Sequence, residues 1–189
     1  VEPDDSPPPS EPEKMEPPES MRDTIVSEGG LMILCGIILD EEGDIEVQTV
    51  AWEVIAKMSQ NEVIVDKVIL QFDDIPQMVS TMKSQQKQSR GICEPACITL
   101  MNIAYCDSYR ALITFRGGIE VVLDAIEDNF SVAMDCLINL ATTKDTKNKM
   151  VETNVLEKVW ECTRDSPEDA NVWKGALMGC RLAITGGPD

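Results

Sequence analysis

The chain of 189 residues contains no histidine and seven cysteines: Cys35, Cys93, Cys97, Cys106, Cys136, Cys162 and Cys180. Without histidine it lacks the usual general base near neutral pH and the commonest metal ligand. Cys93 and Cys97 are four residues apart, a spacing that shares one helical face. A zinc site wants four Cys or His ligands in close pairs, and no second pair exists. The adjacent acids Asp73-Asp74 and Glu127-Asp128 interrupt apolar runs, where solvated caps and turns explain them better than acid–base work. No glycine-rich loop is followed by Lys-Ser or Lys-Thr, so there is no phosphate-cradling loop of that type. The expectation is no catalytic residue, no metal, no cofactor and no enzyme.

The cysteine count is odd and scattered through apolar stretches. That reads as buried, reduced thiols rather than a disulfide framework. The expected compartment is a reducing one: cytoplasm, nucleus, or an organelle matrix or stroma. Val1 in place of methionine adds the expectation of a processed N-terminus or a cut from something longer.

Charge narrows the partners further. Lys and Arg number 16 against 34 Asp and Glu, for a net charge of −18. Such a surface repels nucleic acid and anionic membrane, so neither is expected as a partner. The longest apolar run, 31–39, is nine residues and contains Gly36, too short to span a bilayer.

Which elements would hold these residues? Apolar residues make up 43 % of the chain and aromatics only 4 %. An aliphatic core of this kind favours packed helices over a sheet sandwich. Residues 1–20 stand apart, with seven prolines, seven acids and Lys14 as the one base. They cannot bury enough apolar area to offset their ordering entropy, so an extended acidic, proline-rich arm is expected. It is either a solvated linker or an arm that docks on a basic surface.

From residue 21 the pattern is helical. Short amphipathic runs are expected over 21–27, 31–40, 45–59, 63–70, 74–83, 94–105, 107–115 and 119–126. Others follow over 130–141, 145–151, 155–163 and 167–184. On the third, Val47, Val50, Ala51, Val54, Ile55 and Met58 share a face. Residues 84–91, SQQKQSRG, read as an inserted polar loop. Buried packing is expected for Trp52 and Trp160. Trp173, near the C-terminal end, is a candidate interface anchor.

The pieces recur. Helix starts near Gly30, Asp74, Gly118 and Asn154 are separated by 44, 44 and 36 residues. Long helices end on the shared pattern IAKMS (55–59), LMNIA (100–104) and LINLA (137–141), with GCRLA (179–183) as a weaker fourth. A period near forty with two or three helices per unit is the signature of a helical solenoid.

The best unit, GGIEVVLDAIEDNFSVAMDCLINLA followed by NKMVE, resembles an armadillo repeat. It carries the Gly-Gly turn, a leucine-spaced helix, an acidic turn and a helix ending in Asn-Leu-Ala. The resemblance covers about residues 22–185 in roughly four units. It implies an all-α, right-handed superhelical solenoid of armadillo or HEAT type over 21–185. The arm precedes it and a tail at 186–189 follows.

In such arrays the third helices line a groove whose Asn side chains clamp an extended peptide. The matching positions here are Lys57, Asn102, Asn139 and Arg181. Nuclear-import receptors of this family place Trp one turn earlier, where this chain has Glu53, Ile98 and Asp135. That departure argues against nuclear-localisation signals and suits an acidic or neutral segment. Two basic clusters, Lys83, Lys87 and Arg90, and Lys144, Lys147 and Lys149, offer further anchors for an acidic partner or for the chain's own arm.

The expected function is a non-catalytic protein–protein interaction scaffold, an accessory or structural subunit of a larger complex. The alternative is a regulatory or linker domain of a larger multidomain protein.

Overall fold

The structure, a computed structural model, describes residues 21–164. The expected arm over 1–20, the last helix with Trp173 and Arg181, and the tail at 186–189 lie outside the described residues. The described residues are all-helical. They form α1 (Met21–Ser27), α2 (Gly30–Leu39), α3 (Ile45–Met58), α4 (Glu62–Gln71), α5 (Ile75–Gln86) and α6 (Cys93–Ile103). They continue with α7 (Asp107–Phe115), α8 (Gly118–Ala125), α9 (Phe130–Leu140), α10 (Lys144–Glu152) and α11 (Val155–Thr163). A 3-10 turn, Arg90–Ile92, leads into α6.

Local chemistry explains most starts. Asp44 Oδ1 accepts from Glu46 N at 2.8 Å, Asn61 Oδ1 from Val63 N at 3.0 Å and Asp74 Oδ1 from Gln77 N at 2.8 Å. Each side chain satisfies a backbone N–H that the first helical turn leaves without a partner. Thr143 and Thr146 close a reciprocal capping box on α10. At α7 the N-cap is Cys106, and Asp107 stands in the first turn and pairs with Arg110 at 2.5 Å.

Four residues in the described region adopt left-handed backbone: Gly29 (φ 77°), Asp73 (φ 65°), Gly117 (φ 96°) and Asn154 (φ 56°). Each ends one helix and opens the next. From 29 to 73 and from 73 to 117 is 44 residues, and from 117 to 154 is 37. Gly, Asn and Asp are the residues that tolerate this conformation. Gly30 and Gly118 then do a second job in common. A β-carbon on Gly118 would overlap Ile113 Cγ2 and stand 2.7 Å from Ile113 O. On Gly30 it would stand 2.7 Å from Ile25 Cγ2 and 2.9 Å from Ile25 O. In both places the helix crossing needs a residue with no side chain.

The helices pack in rows. α2 lies on α3, α3 on α6, and α6 on α9. In another row α5 packs on α8, and α7 packs on α10. One continuous core of Ile, Leu, Val, Met, Ala and Cys runs through the rows. Its largest member, Trp52, is fully buried and stacks on Phe72 with ring centroids 5.4 Å apart.

Three sequence expectations need correction. Residues 84–86 are not loop. α5 continues through Gln86, and both Gln85 and Gln86 are buried. Gln85 is held inside by three polar groups. Its Nε2 donates to Ile38 O at 2.7 Å and Gln48 Oε1 at 2.9 Å, and its Oε1 accepts from Trp52 Nε1 at 2.7 Å. Gln48 in turn donates to Ile37 O at 3.2 Å and Asp40 O at 2.6 Å, the carbonyls at the end of α2. Second, the buried stripe of α3 is turned away from the expected valines. Gln48, Ala51, Trp52, Ile55, Ala56 and Met58 are inside, and Val47 and Val50 are exposed. Trp52 buries more apolar area than a valine, and Gln48 is needed at the end of α2, so the helix turns those residues inward. Third, Trp160 is 65 % exposed on α11 rather than packed in the core.

Candidate functional site

Lys57, Asn102 and Asn139 stand one each on α3, α6 and α9, the helices that pack in succession. Lys57 is exposed, while the two asparagines are half-buried. The fourth position of the expected ladder, Arg181, lies outside the described residues. Asn102 does more than line a surface. Its Nδ2 donates to Ala56 O at 3.1 Å and to Ser59 Oγ at 3.0 Å, both at the end of α3. A backbone carbonyl can only accept, which fixes the orientation of the amide. Both N–H bonds are therefore spent on holding α6 to α3, and only Oδ1 remains for anything else.

Two cavities border α6, one against α3 and one against α4. The first, about 340 Å³, is lined by Glu53, Lys57 and Gln60 on one side and by Glu94, Pro95 and Ile98 on the other. Glu53 and Ile98, the positions one turn before the ladder, thus face the same space as Lys57. The second, about 570 Å³, is lined by Gln60, Glu62 and Asp66 and by Asn102, Tyr105 and Cys106. Gln60 borders both. Tyr109 Oη donates to Asp66 Oδ1 at 2.6 Å, and that hydrogen bond pushes the Tyr109 phenol up to about 12.

The basic clusters are placed unequally. Lys83 is half-buried and Lys87 exposed at the end of α5. Arg90 turns away from them. Its Nε donates to Asp128 Oδ2 at 2.7 Å, and Nη1 donates to Asp124 O at 2.9 Å. It therefore ties the start of α6 to the α8–α9 turn. The neighbouring acid, Glu127, accepts from Lys158 of α11 at 2.5 Å. That bond holds the Glu127 carboxyl below its ordinary range and raises the Lys158 ammonium. Lys144, Lys147 and Lys149 all belong to α10, and Lys149 Nζ lies 3.4 Å from Glu152 Oε2.

The thiols lie mostly inside. Burial pushes Cys35 up to about 12 and raises Cys97 and Cys136 further from the thiolate range. Such thiols are poor nucleophiles and poor ligands near neutral pH. Among the described residues no three His, Cys, Asp or Glu side chains come together as a metal site. No helix among them is long and apolar enough to cross a membrane.

Sequence reasoning passed over Glu62, Asp66 and Tyr105. The i, i+4 spacing of the two acids on α4 was a legible signal for a shared face. Nothing local indicated that this face would meet the end of α6. No family model, no curated protein and no solved structure matches this chain.

Proposed function

We propose that the chain is an armadillo-like solenoid and acts as a non-catalytic protein-interaction scaffold. An extended segment of a partner would lie across the exposed edges of α3, α6 and α9. The observation that carries this reading is the succession of α3 on α6 on α9, with one cavity between α3 and α6 and another between α4 and the end of α6. The recurrence of left-handed residues at 29, 73 and 117 supports a repeated unit of 44 residues. Repeats that each bury their apolar face on a neighbour expose long, shallow surfaces suited to extended partners. The scaffold would serve as an accessory subunit of a larger assembly.

Photo-crosslinking tests this directly. A photoreactive residue at position 57 or 139 of the full chain, expressed in its source, should capture one and the same partner. A photoreactive residue at Gly36, on the exposed side of α2, should not. Capture from position 36 alone, or different partners from 57 and 139, overturns the reading. Asn102 is unsuited to this test because its truncation would loosen α6 from α3.

A further inference from the structure

The sequence ladder suits an acidic or neutral segment, yet the groups around the two cavities have the opposite character. The larger of the two is bordered by two carboxylates, Glu62 and Asp66, and by no lysine or arginine. Asn102, with both N–H groups spent on Ala56 O and Ser59 Oγ, presents only an acceptor. Ser59 is likewise committed, donating to Ala56 O at 3.0 Å while accepting from Asn102. Gln60 Oε1 accepts from Arg22 at 3.4 Å at the rim. Tyr105 is 67 % exposed beside these acceptors, with its ring open to solvent. The adjoining cavity adds Glu53 and Glu94 against the single cation Lys57.

Besides the Gln60 amide and the Tyr105 hydroxyl the cavity presents acceptors, two of them carboxylates, and an excess of acceptors calls for a ligand rich in N–H. A planar cation satisfies several acceptors at once and stacks on an aromatic face. The geometry points to a pocket for an arginine side chain of a basic extended segment, formed by Glu62, Asp66, Asn102 and Tyr105 where α4 meets the end of α6. Asp66 is held ready by Tyr109, whose hydroxyl occupies one of its oxygens and leaves the other for the guanidinium. The inference rests on the scaffold reading for its extended partner, but the pocket has its own test.

The probe is a fluorescein-labelled Gly-Ser peptide of a dozen residues carrying three arginines, compared with one carrying three glutamates. Binding to the full chain is followed by anisotropy at physiological salt, which screens distant charge. The arginine peptide should bind and the glutamate peptide should not. Joint substitution Glu62→Gln and Asp66→Asn should weaken binding about tenfold, the scale of a lost charge-assisted hydrogen bond. The same charge change at Glu41→Gln and Glu42→Gln, outside the pocket, should weaken it less than about twofold. Tyr105→Ala alters no charge and should weaken binding about threefold through the lost stacking. Tyr105→Phe should restore it.

Equal losses from the pocket pair and the control pair would overturn the pocket, because the attraction would then belong to the overall charge. An unchanged affinity in Tyr105→Ala, or preference for the glutamate peptide, would overturn it as well. The scaffold reading fails separately, on the crosslinks from positions 57 and 139.

Discussion

Gln85 accepts the indole N–H of Trp52 at 2.7 Å inside the core, across the boundary between α3 and α5. The same amide donates to Ile38 O and to Gln48, so one glutamine joins α2, α3 and α5. Gln85→Ala would leave three buried polar groups without their partner and open a cavity. We expect a loss of about 2–4 kcal/mol, read as a lower urea midpoint with unchanged slope. Lys87→Ala, exposed two residues later, should change stability by less than about 0.5 kcal/mol.

The paired glycines give a graded series. Gly118→Ala drives a methyl into Ile113, and Gly30→Ala drives one into Ile25. Each should cost about 1–3 kcal/mol as overpacking. Gly117→Ala meets no close atom but must hold φ at 96°, a strain of about 1–2 kcal/mol. Gly36→Ala, in the interior of α2 with open space around it, should instead stabilise by about 0.5–1 kcal/mol. Thermal unfolding of the four variants checks the order.

Glu127 and Lys158 supply a pH signature. The hydrogen bond to Lys158 lowers the Glu127 value below its ordinary 4.5. A lowered folded value means the contribution is present above pH 4.5 and fades as pH falls through the depressed midpoint. Carbon-detected NMR titration should find the Glu127 midpoint below its ordinary 4.5. In Lys158→Met its midpoint should rise towards 4.5. Glu127 is exposed and Lys158 only half-buried, so solvent screens the pair and the change in overall stability should be slight.

Thiol chemistry separates the cysteines. Cys35, Cys97 and Cys136 are buried, and burial raises each of them. A thiol reagent at pH 8 should label Cys106, half-buried at a turn, well before these three. Cys35, Cys97 and Cys136 should react at the rate at which the core opens, and addition of urea should release them together. Mass mapping of the labelled sites against time reads the order. Early labelling of Cys97 would contradict the packing of α6 on α9.

Local chemistry reached far into the fold. The 3.6-residue apolar period placed every described helix within a few residues, because that period is a property of the backbone itself. Asp74 was legible as a cap and Gly117–Gly118 as a break, since both act within one turn of the chain. The 44-residue spacing was legible for the same reason, as a recurrence of those local signals. The candidate site was less so. Lys57 and Asn102 were found by their common place before each helix end, but Glu62, Asp66 and Tyr105 were not.

By itself, then, the sequence determined the helices, their caps and their spacing, since each depends on neighbours within about four residues. Only the tertiary structure decided which polar groups are consumed inside. Gln85 looked like loop because its partners lie at Trp52, Gln48 and Ile38. Asn102 looked like a free clamp because Ala56 and Ser59 belong to another helix. Trp52 and Trp160 are the same residue type, yet one is buried and the other exposed. Which surface a side chain meets is set by helices far away in the chain, and a hydrogen bond or a buried ring depends on that meeting.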